Sequence, residues 1–562
     1  TVKGQFSVTK KYSKSEKFID PLSSKTSVTG SKDNNLAGDL YTTNGESLDW
    51  NSNAFLYYTR SFNKQHNLNV SAGWEAASGT TESTNAHYRG FPSGEFHSLN
   101  YAAEVYKKPT RTENTTRRVS VLASANYTWN DIYLVDASVR FDGSSEFGAN
   151  QKWAPFFSGG LGVNIHNYDF FKSNGYINKL KLRASYGRTG KVNFPAYAAT
   201  TMYETLFDEW YITGYGAVLK ALGNKDLTWE KTDKLSVGIE TKTFHDRLTV
   251  DFEYYYNKTI DLVNDVTLSQ TSGFSTYKDN MGQVANKGVE LKLRADIYRD
   301  RNWNVALWGN MAHNKNEILK ISDSQKAYNE RVAAYYKNEA LYQETLGLSH
   351  GAEYSVPLPQ YEEGASLTSI WAVRSLGIDP TTGKEIFLNR DGSIADKWNA
   401  AQEVVVGNTE PKCSGAFGLN LSYKNWTLFA SFLYEWGGQE YNQTLVNNVE
   451  NADLVNKNVD LRVLTDRWKK PGDIAQFKDI KDRGMTTLPT SRFVQDKALV
   501  RLNSLNVSYD FNRDWIKKHL RMNLLRLEAS TSDLINWSSI KQERGLSYPR
   551  SWKVEFSLKA QF

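Results

Sequence analysis

Only one cysteine, Cys413, occurs in the 562 residues, so no internal disulfide can form and cysteine usage reveals no redox compartment. Long apolar runs are absent as well. With no 18-residue apolar stretch and a mean hydropathy of -0.57, a transmembrane helix is excluded. A membrane-spanning barrel is not, because only alternate residues of each strand meet lipid. Charge of one sign is scarce too. The 68 Lys and Arg nearly balance 62 Asp and Glu, and the net +6 gives no nucleic-acid partner to expect. The opening Thr1-Val-Lys-Gly-Gln5 lacks the basic, apolar, small-residue order of a secretory signal. The expectation is that a signal was removed, or that the chain begins inside a longer polypeptide.

Catalytic patterns are missing in turn. The eight histidines never reach H-E-x-x-H spacing, and Cys413 has no Cys or His at ligand spacing. Gly187-Arg188-Thr189-Gly190-Lys191 ends like a phosphate loop, but the required first glycine falls at Ser185. No G-x-S-x-G elbow is present. Asp379-Pro-Thr-Thr-Gly383 and Asn389-Arg-Asp-Gly392 lack the spaced acids of a calcium loop and read as β-turns. The chain is therefore expected to be no enzyme, with no catalytic residue, metal or cofactor.

What is present is alternation. In the last twelve residues Trp552, Val554, Phe556, Leu558, Ala560 and Phe562 form one face, and Ser551, Lys553, Glu555, Ser557, Lys559 and Gln561 the other. At roughly 3.3 Å per residue such a strand spans about 36–40 Å. Soluble strands run about 5–6 residues and tilted membrane strands about 9–11. This stretch is expected to be the closing assembly strand of an outer-membrane barrel, although a long strand of a soluble sandwich would alternate in the same way.

The same module recurs through the chain. Asn53 to Thr59 and Leu68 to Trp74 flank a turn at Asn63-Lys64; Val119 to Trp129 and Tyr133 to Phe141 flank Asn130-Asp131. Further pairs run from Phe157 to Ile165 with Leu180 to Tyr186, Leu235 to Ile239 with Leu248 to Tyr256, and Val289 to Ile297 with Trp303 to Met311. Two more join Phe417–Tyr423 to Trp426–Trp436 and Leu505–Tyr509 to Leu525–Ala529. Val2 to Tyr12 is a weaker first strand, while the polar stretches 13–51 and 79–116 read as loops. Links within pairs are mostly two to five residues; those between pairs, at 189–234, 258–287, 314–412 and 437–499, are generally long. Short turns on one rim and long loops on the other is the layout of bacterial outer-membrane barrels. The count is about 16 strands, and the alternation of short turns and long loops is consistent with it, provided 314–412 holds no net crossing. Trp129, Tyr133, Trp426 and Trp436 lie near strand ends, where interfacial aromatics belong.

Several stretches together resemble the SusC/RagA family of TonB-dependent outer-membrane transporters of the Bacteroidota. They include Arg140-Phe-Asp-Gly-Ser-Ser-Glu-Phe-Gly148, Leu180-Lys-Leu-Arg-Ala-Ser-Tyr-Gly187, Leu227-Thr-Trp-Glu230 and Asn286-Lys-Gly-Val-Glu290. Tyr434-Glu-Trp-Gly-Gly438 with Tyr441-Asn442, Arg467-Trp-Lys-Lys-Pro-Gly-Asp473, Arg492-Phe-Val-Gln-Asp496 and Leu499-Val-Arg-Leu-Asn503 complete the set. Each is weak alone, and their order is specific.

The resemblance implies an all-β, transmembrane antiparallel barrel of 22 strands with an N-terminal plug, TonB as the energy-relaying partner through that plug, and a SusD-like surface lipoprotein as lid. It also implies that transporter–lid pairs can assemble as dimers. Residues 1–562 are then one domain, the C-terminal portion of that barrel, with the plug and about six strands supplied by the rest of the polypeptide. The expected function is energised import of an oligosaccharide or peptide. The alternatives are a passive porin of about 16–18 strands and a surface adhesin or binding module. Aromatics in the long loops, Trp210, Tyr211, Tyr335, Tyr336, Tyr342, Tyr354, Trp371 and Trp398, are the candidates for stacking on cargo or meeting the lid.

Overall fold

The computed structural model describes residues 1–26, 36–172, 176–212, 214–267, 276–280, 282–323, 325–327, 329–330, 356–454, 459–481, 487–541 and 551–562. Seventeen strand segments join into one sheet, every pairing antiparallel. Two segments, Leu524–Thr531 and Asn536–Ser538, pair with the same neighbour on either side of a break at Asp533 (φ 58°), so they form one interrupted strand. Counting them once leaves 16 staves, the number expected from the alternating stretches.

In chain order the staves are β1 (Val2–Ile19), β2 (Asp39–Phe62), β3 (His66–Arg89), β4 (Glu104–Trp129), β5 (Tyr133–Ser144), β6 (Trp153–Asn164), β7 (Ile177–Lys191) and β8 (Glu230–Thr243). They continue as β9 (Leu248–Ile260), β10 (Gln283–Arg299), β11 (Trp303–Lys320), β12 (Cys413–Tyr423), β13 (Trp426–Tyr441), β14 (Val494–Asp510), β15 (Leu524–Thr531) and β16 (Val554–Gln561). β11 pairs directly with β12, so the segment between them adds no crossing.

Turn chemistry fixes one rim. Asn63 and Lys64 (φ 48° and 59°) and Asn130 and Asp131 (φ 53° and 55°) take the left-handed pairs that tight hairpins demand, and Phe244, His245 and Asp246 do the same after β8. Asn and Asp tolerate that region best, which is why these turns are readable in sequence. Register then aligns the apolar rows of neighbouring strands. Leu182 faces Ile239, Ile239 faces Phe252, and Phe252 faces Leu291. Further on Leu421 meets Leu428, Leu428 meets Val507, Val507 meets Ala529, and Ala529 meets Phe556. This row points out of the sheet: Phe556 is 76% exposed, and Val554 and Leu558 are exposed beside it. A soluble sandwich would have sealed the row against a second sheet.

The tall strands at the start correct the expected loops. β1 runs on to Ile19, β2 begins at Asp39, β3 reaches Arg89 and β4 begins at Glu104, so much of 13–51 and 79–116 is strand. These extensions carry Ser, Thr, Asn and Gly on both faces because nothing apolar covers either one, so they lack the signature that marks a strand beside lipid. The reverse holds at the end. β16 has 8 residues rather than twelve, and its partner among the described residues, β15, stops pairing at Thr531. The β14–β15 link is not a short turn but holds a helix, α1 (Arg513–Leu520).

At the opposite rim the long connections fold into a cap. It contains a hairpin of Met202–Tyr211 with Gly214–Ala221 and another of Val263–Thr267 with Thr276–Asn280. A four-stranded sheet of Ser369–Ile378, Glu385–Leu388, Ile394–Ala395 and Glu403–Asn408 rises between β11 and β12.

Candidate functional site

The sheet face opposite the apolar row is a wall of compensated charge. Arg183 reaches across β8 to Asp251 (2.9 Å) and Glu253 (2.6 Å), and Lys179 pairs with Glu240 (2.6 Å), whereas Arg188 holds Asp233 (2.6 and 2.9 Å) on the other face, two residues beyond the Tyr186–Leu235 pair of the apolar side. Arg140 of the first family-like stretch lies between Asp142 (2.6 Å) and Glu75 (3.1 Å). Such a wall is wet, and where its charges are paired it would let a hydrogen-bonding cargo pass without holding it by one strong ionic contact.

Higher on this face is a recess of about 520 Å³ lined in part by Lys234, Glu253, Tyr255, Asn286, Glu290 and Asn314. The Tyr255 hydroxyl donates to Asn314 Oδ1 (2.9 Å), and Asn314 and Asn316 both donate to Asn286 Oδ1 (3.1 and 2.9 Å). Glu410, at the end of the cap's sheet, accepts from Asn314 Nδ2 and from the Asn316 backbone N–H. The stretch Asn286–Glu290 thus roots the cap to the wall. Its Gly288 is required by space: a Cβ there would lie 2.0 Å from the His313 carbonyl and 2.7 Å from the Tyr255 hydroxyl.

The cap has two buried centres, and the other family-like stretches supply most of both. In one, Phe147 stacks on Trp229 at 4.1 Å, while Phe194 meets Phe147 and Phe156 meets Trp229 edge-on at 5.3 and 5.4 Å. Leu227 is buried beside them, and Gly148 donates its N–H to the Leu227 carbonyl at 3.0 Å. Glu230 accepts the Val263 N–H, tying this centre to the second hairpin.

In the other centre, Leu445, Val446, Val449, Val463, Phe477 and Phe493 pack together. Arg467 donates to the carbonyls of Val449, Glu450 and Lys478. Arg492 bridges Glu385 (2.9 Å) on the cap's sheet and Glu450 (2.7 Å) in the loop, and it donates to the Gln476 carbonyl (2.6 Å). The indole of Trp468 donates to the Pro380 carbonyl (2.8 Å), and its ring covers Gly383, where a Cβ would stand 2.5 Å from it. Asp379–Gly383 is accordingly a turn closed by Gly383 N–H on the Asp379 carbonyl (2.8 Å), and Asn389–Gly392 closes likewise at 3.1 Å.

Glu403 stands apart from these centres. Burial pushes its carboxyl up from an ordinary 4.5 to about 7, against the opposing pull of the Gln360 amide that donates to it and of Arg390 nearby. The folded cap therefore holds a proton that the unfolded chain releases. Stability from this group is fully present below about 4.5 and is lost as pH rises to about 7, by about 3 kcal/mol in all. Glu403→Gln, which cannot ionise, is expected to gain in melting temperature relative to the parent as pH is raised across this window. A difference that does not change with pH would refute the assignment.

Of the expected cargo-contacting aromatics, Trp371 and Trp398 have described side chains. Trp371 is 3% exposed, between Ile370 and Ala372 in the cap's sheet, so it packs the cap instead of presenting a stacking face. Trp398 donates its indole N–H to the Pro489 carbonyl (2.9 Å), joining the sheet to the loop before β14. Trp210 and Tyr211 end the first hairpin strand, in register with Tyr215 and Gly214. Tyr335, Tyr336, Tyr342 and Tyr354 lie outside the described residues. Of the rim aromatics, Trp129 stacks on Tyr133 at 5.3 Å and Trp426 meets Tyr509 at 4.8 Å. Sequence reading missed Glu385, Glu450 and Glu403, since nothing about a lone Glu in a polar loop signals burial.

An antiparallel wall that is greasy outside and ion-paired inside, with its longest loops folded into a cap along one rim, is the architecture of a membrane transport barrel. Comparison with known proteins specifies it. The family model for the TonB dependent receptor-like, beta-barrel matches residues 4–524, and the chain belongs to that family. A curated TonB-dependent receptor of Formosa agariphila is 26% identical over 566 residues, covering 92% of this chain and 53% of that protein. The TonB-dependent receptor SusC of Bacteroides thetaiotaomicron is 29% identical over 255 residues, 43% of this chain and 25% of its own length. Among solved structures, the RagAB peptide transporter superposes with a TM-score of 0.79 at 22% identity, over 96% of this chain and 57% of that one. The chain spans about half the length of the first curated relatives it matches.

Proposed function

We propose that this chain is the barrel wall and outer cap of an energised importer that carries an oligosaccharide or peptide across the outer membrane of a Gram-negative bacterium. The observation that carries the reading is the division of the sheet: one unbroken apolar row outside, paired charges inside, and a stabilised cap over one rim. A closed barrel meets its backbone hydrogen bonds between strands, which is the only way strands can sit in hydrocarbon. A lumen of about 22 strands is too wide for side chains to fill and needs a plug. That plug, with the strands that would join β1 to β16, belongs to the remaining polypeptide in this reading, and it is where TonB would pull. A SusD-like lipoprotein would close over the cap, and such pairs would associate as dimers.

The test is uptake by cells carrying the intact protein. Import of labelled oligosaccharide or peptide should stop when the protonmotive force is collapsed and when the lid lipoprotein is deleted. Uptake that persists without energy would favour the passive porin, and recovery of the protein without detergent would favour the adhesin.

A further inference from the structure

Helix α1 is the longest helix on a rim otherwise built from tight turns and the β6–β7 link, which holds a 3-10 turn at Ile165–Asn167 and a one-turn helix at Asp169–Lys172. It leaves β14 immediately below an aromatic group in which Tyr509 meets Trp426 at 4.8 Å and Phe511 meets Tyr509 edge-on at 5.1 Å. The helix is held firmly. Asn512 Oδ1 accepts the N–H groups of Asp514 and Trp515 (3.0 and 3.1 Å), Arg521 terminates it in the left-handed region (φ 54°), and Ile516 is buried at 1% exposure. A helix that only had to connect two adjacent strands would need no outward chemistry, yet this one has it.

At 100° per residue Ile516 marks the line facing the barrel. The outward arc carries Lys517, Lys518 and Arg521, all exposed, with Asp514 the only acid among them. Among the described residues none of these three cations has a carboxylate within ion-pair distance. Trp515, 51% exposed and stacked on His519 at 5.1 Å, bounds the arc on one side, and exposed Leu520 bounds it on the other. Cations in a last turn suit the helix dipole, but the dipole gives no reason for an exposed Trp and Leu beside them. A basic arc with apolar margins at the level of an aromatic girdle is the make-up of an interfacial helix.

We propose that α1 rests on the anionic phospholipid headgroups of the leaflet at the short-turn rim, with Lys517, Lys518 and Arg521 meeting the phosphates and the apolar margins entering the headgroup layer. Charge complementarity and continuity with the lipid-facing row select a membrane surface as the occupant. The inference rests on the membrane-barrel reading above.

The test is amide hydrogen exchange of residues 513–521 in the intact protein, placed in nanodiscs of phosphatidylcholine with or without phosphatidylglycerol. Exchange should slow roughly ten-fold when phosphatidylglycerol is included, and the gain should fade in high salt. The K517Q/K518Q/R521Q variant should insert normally and lose that gain. Indifference to phosphatidylglycerol, an equal gain in the variant, or full protection from inorganic phosphate over phosphatidylcholine alone would each overturn the proposal. Failure of the parent to enter nanodiscs at all would instead strike the membrane-barrel reading, so the two failures are distinguishable.

Discussion

Arg492→Ala should loosen the cap by about 3–5 kcal/mol, the cost of leaving a buried charge without its partner. Among the described residues Arg492 is the one cation bridging Glu385 and Glu450, and Glu450 is 0% exposed. Without the guanidinium, two carboxylates from different loops would face each other in a site that Phe493, under the Arg492 plane at 4.4 Å, helps keep dry. Lysine cannot replace it. Its single ammonium cannot span both carboxylates and also reach the Gln476 carbonyl, so Arg492→Lys should recover only part of the loss. Neutralising the acids as well, with Glu385→Gln and Glu450→Gln in the Arg492→Met background, should recover more, because hydrogen-bonding amides cost less to bury than unpaired charges. Limited proteolysis of 443–493 in the folded barrel reads the effect directly. Equal protease resistance in Arg492→Ala and the parent would show that the ion pairs do not hold the cap. The wall should survive every variant, since the β13–β14 ladder lies below the cluster and does not use it.

The staves were legible where lipid dictates them. From β5 onward, period-2 rows such as Leu248, Val250, Phe252 and Tyr254 exist because one face is greasy and the other wet, and the tight turns add Asn and Asp where φ must be positive. Where neither face meets lipid, as in the upper halves of β2 and β3, the same hydrogen-bond ladder leaves no periodic trace. The cap is a third case. Its family-like stretches were visible as motifs but their role was not, because Trp229 or Arg467 acts through partners far along the chain. Loop aromatics illustrate the consequence. Trp371 and Trp398 looked like ligand contacts by residue type, yet one is enclosed in a sheet and the other bonded to a backbone carbonyl. Residue type says what a ring can do; only packing says which surface is left to do it.

Trp229→Ala is the second large effect, about 3–5 kcal/mol for removing a buried indole from a packed centre. The ring is held on three sides: stacked on Phe147, edge-on to Phe156, and packed in the cluster that contains Leu227 and Phe194. Collapse cannot easily fill the void. Phe156 is fixed by the β5–β6 ladder, and Gly148 already lies so close to the 225 backbone that an added Cβ would be 2.1 Å from the Lys225 carbonyl. The loss should therefore appear as local opening of the 192–229 loop and the 263–280 hairpin, which Glu230 connects through the Val263 N–H. Hydrogen exchange should show those amides freed while the β7–β8 ladder stays protected. Trp436→Ala is the matched control: the same atoms are removed from a ring that is 70% exposed, so the cap should not respond. Equal opening in both variants would mean that the aromatic centre is not what holds the loops above the wall, and the cap would then need another source of rigidity before it could serve as the seat for a closing lid.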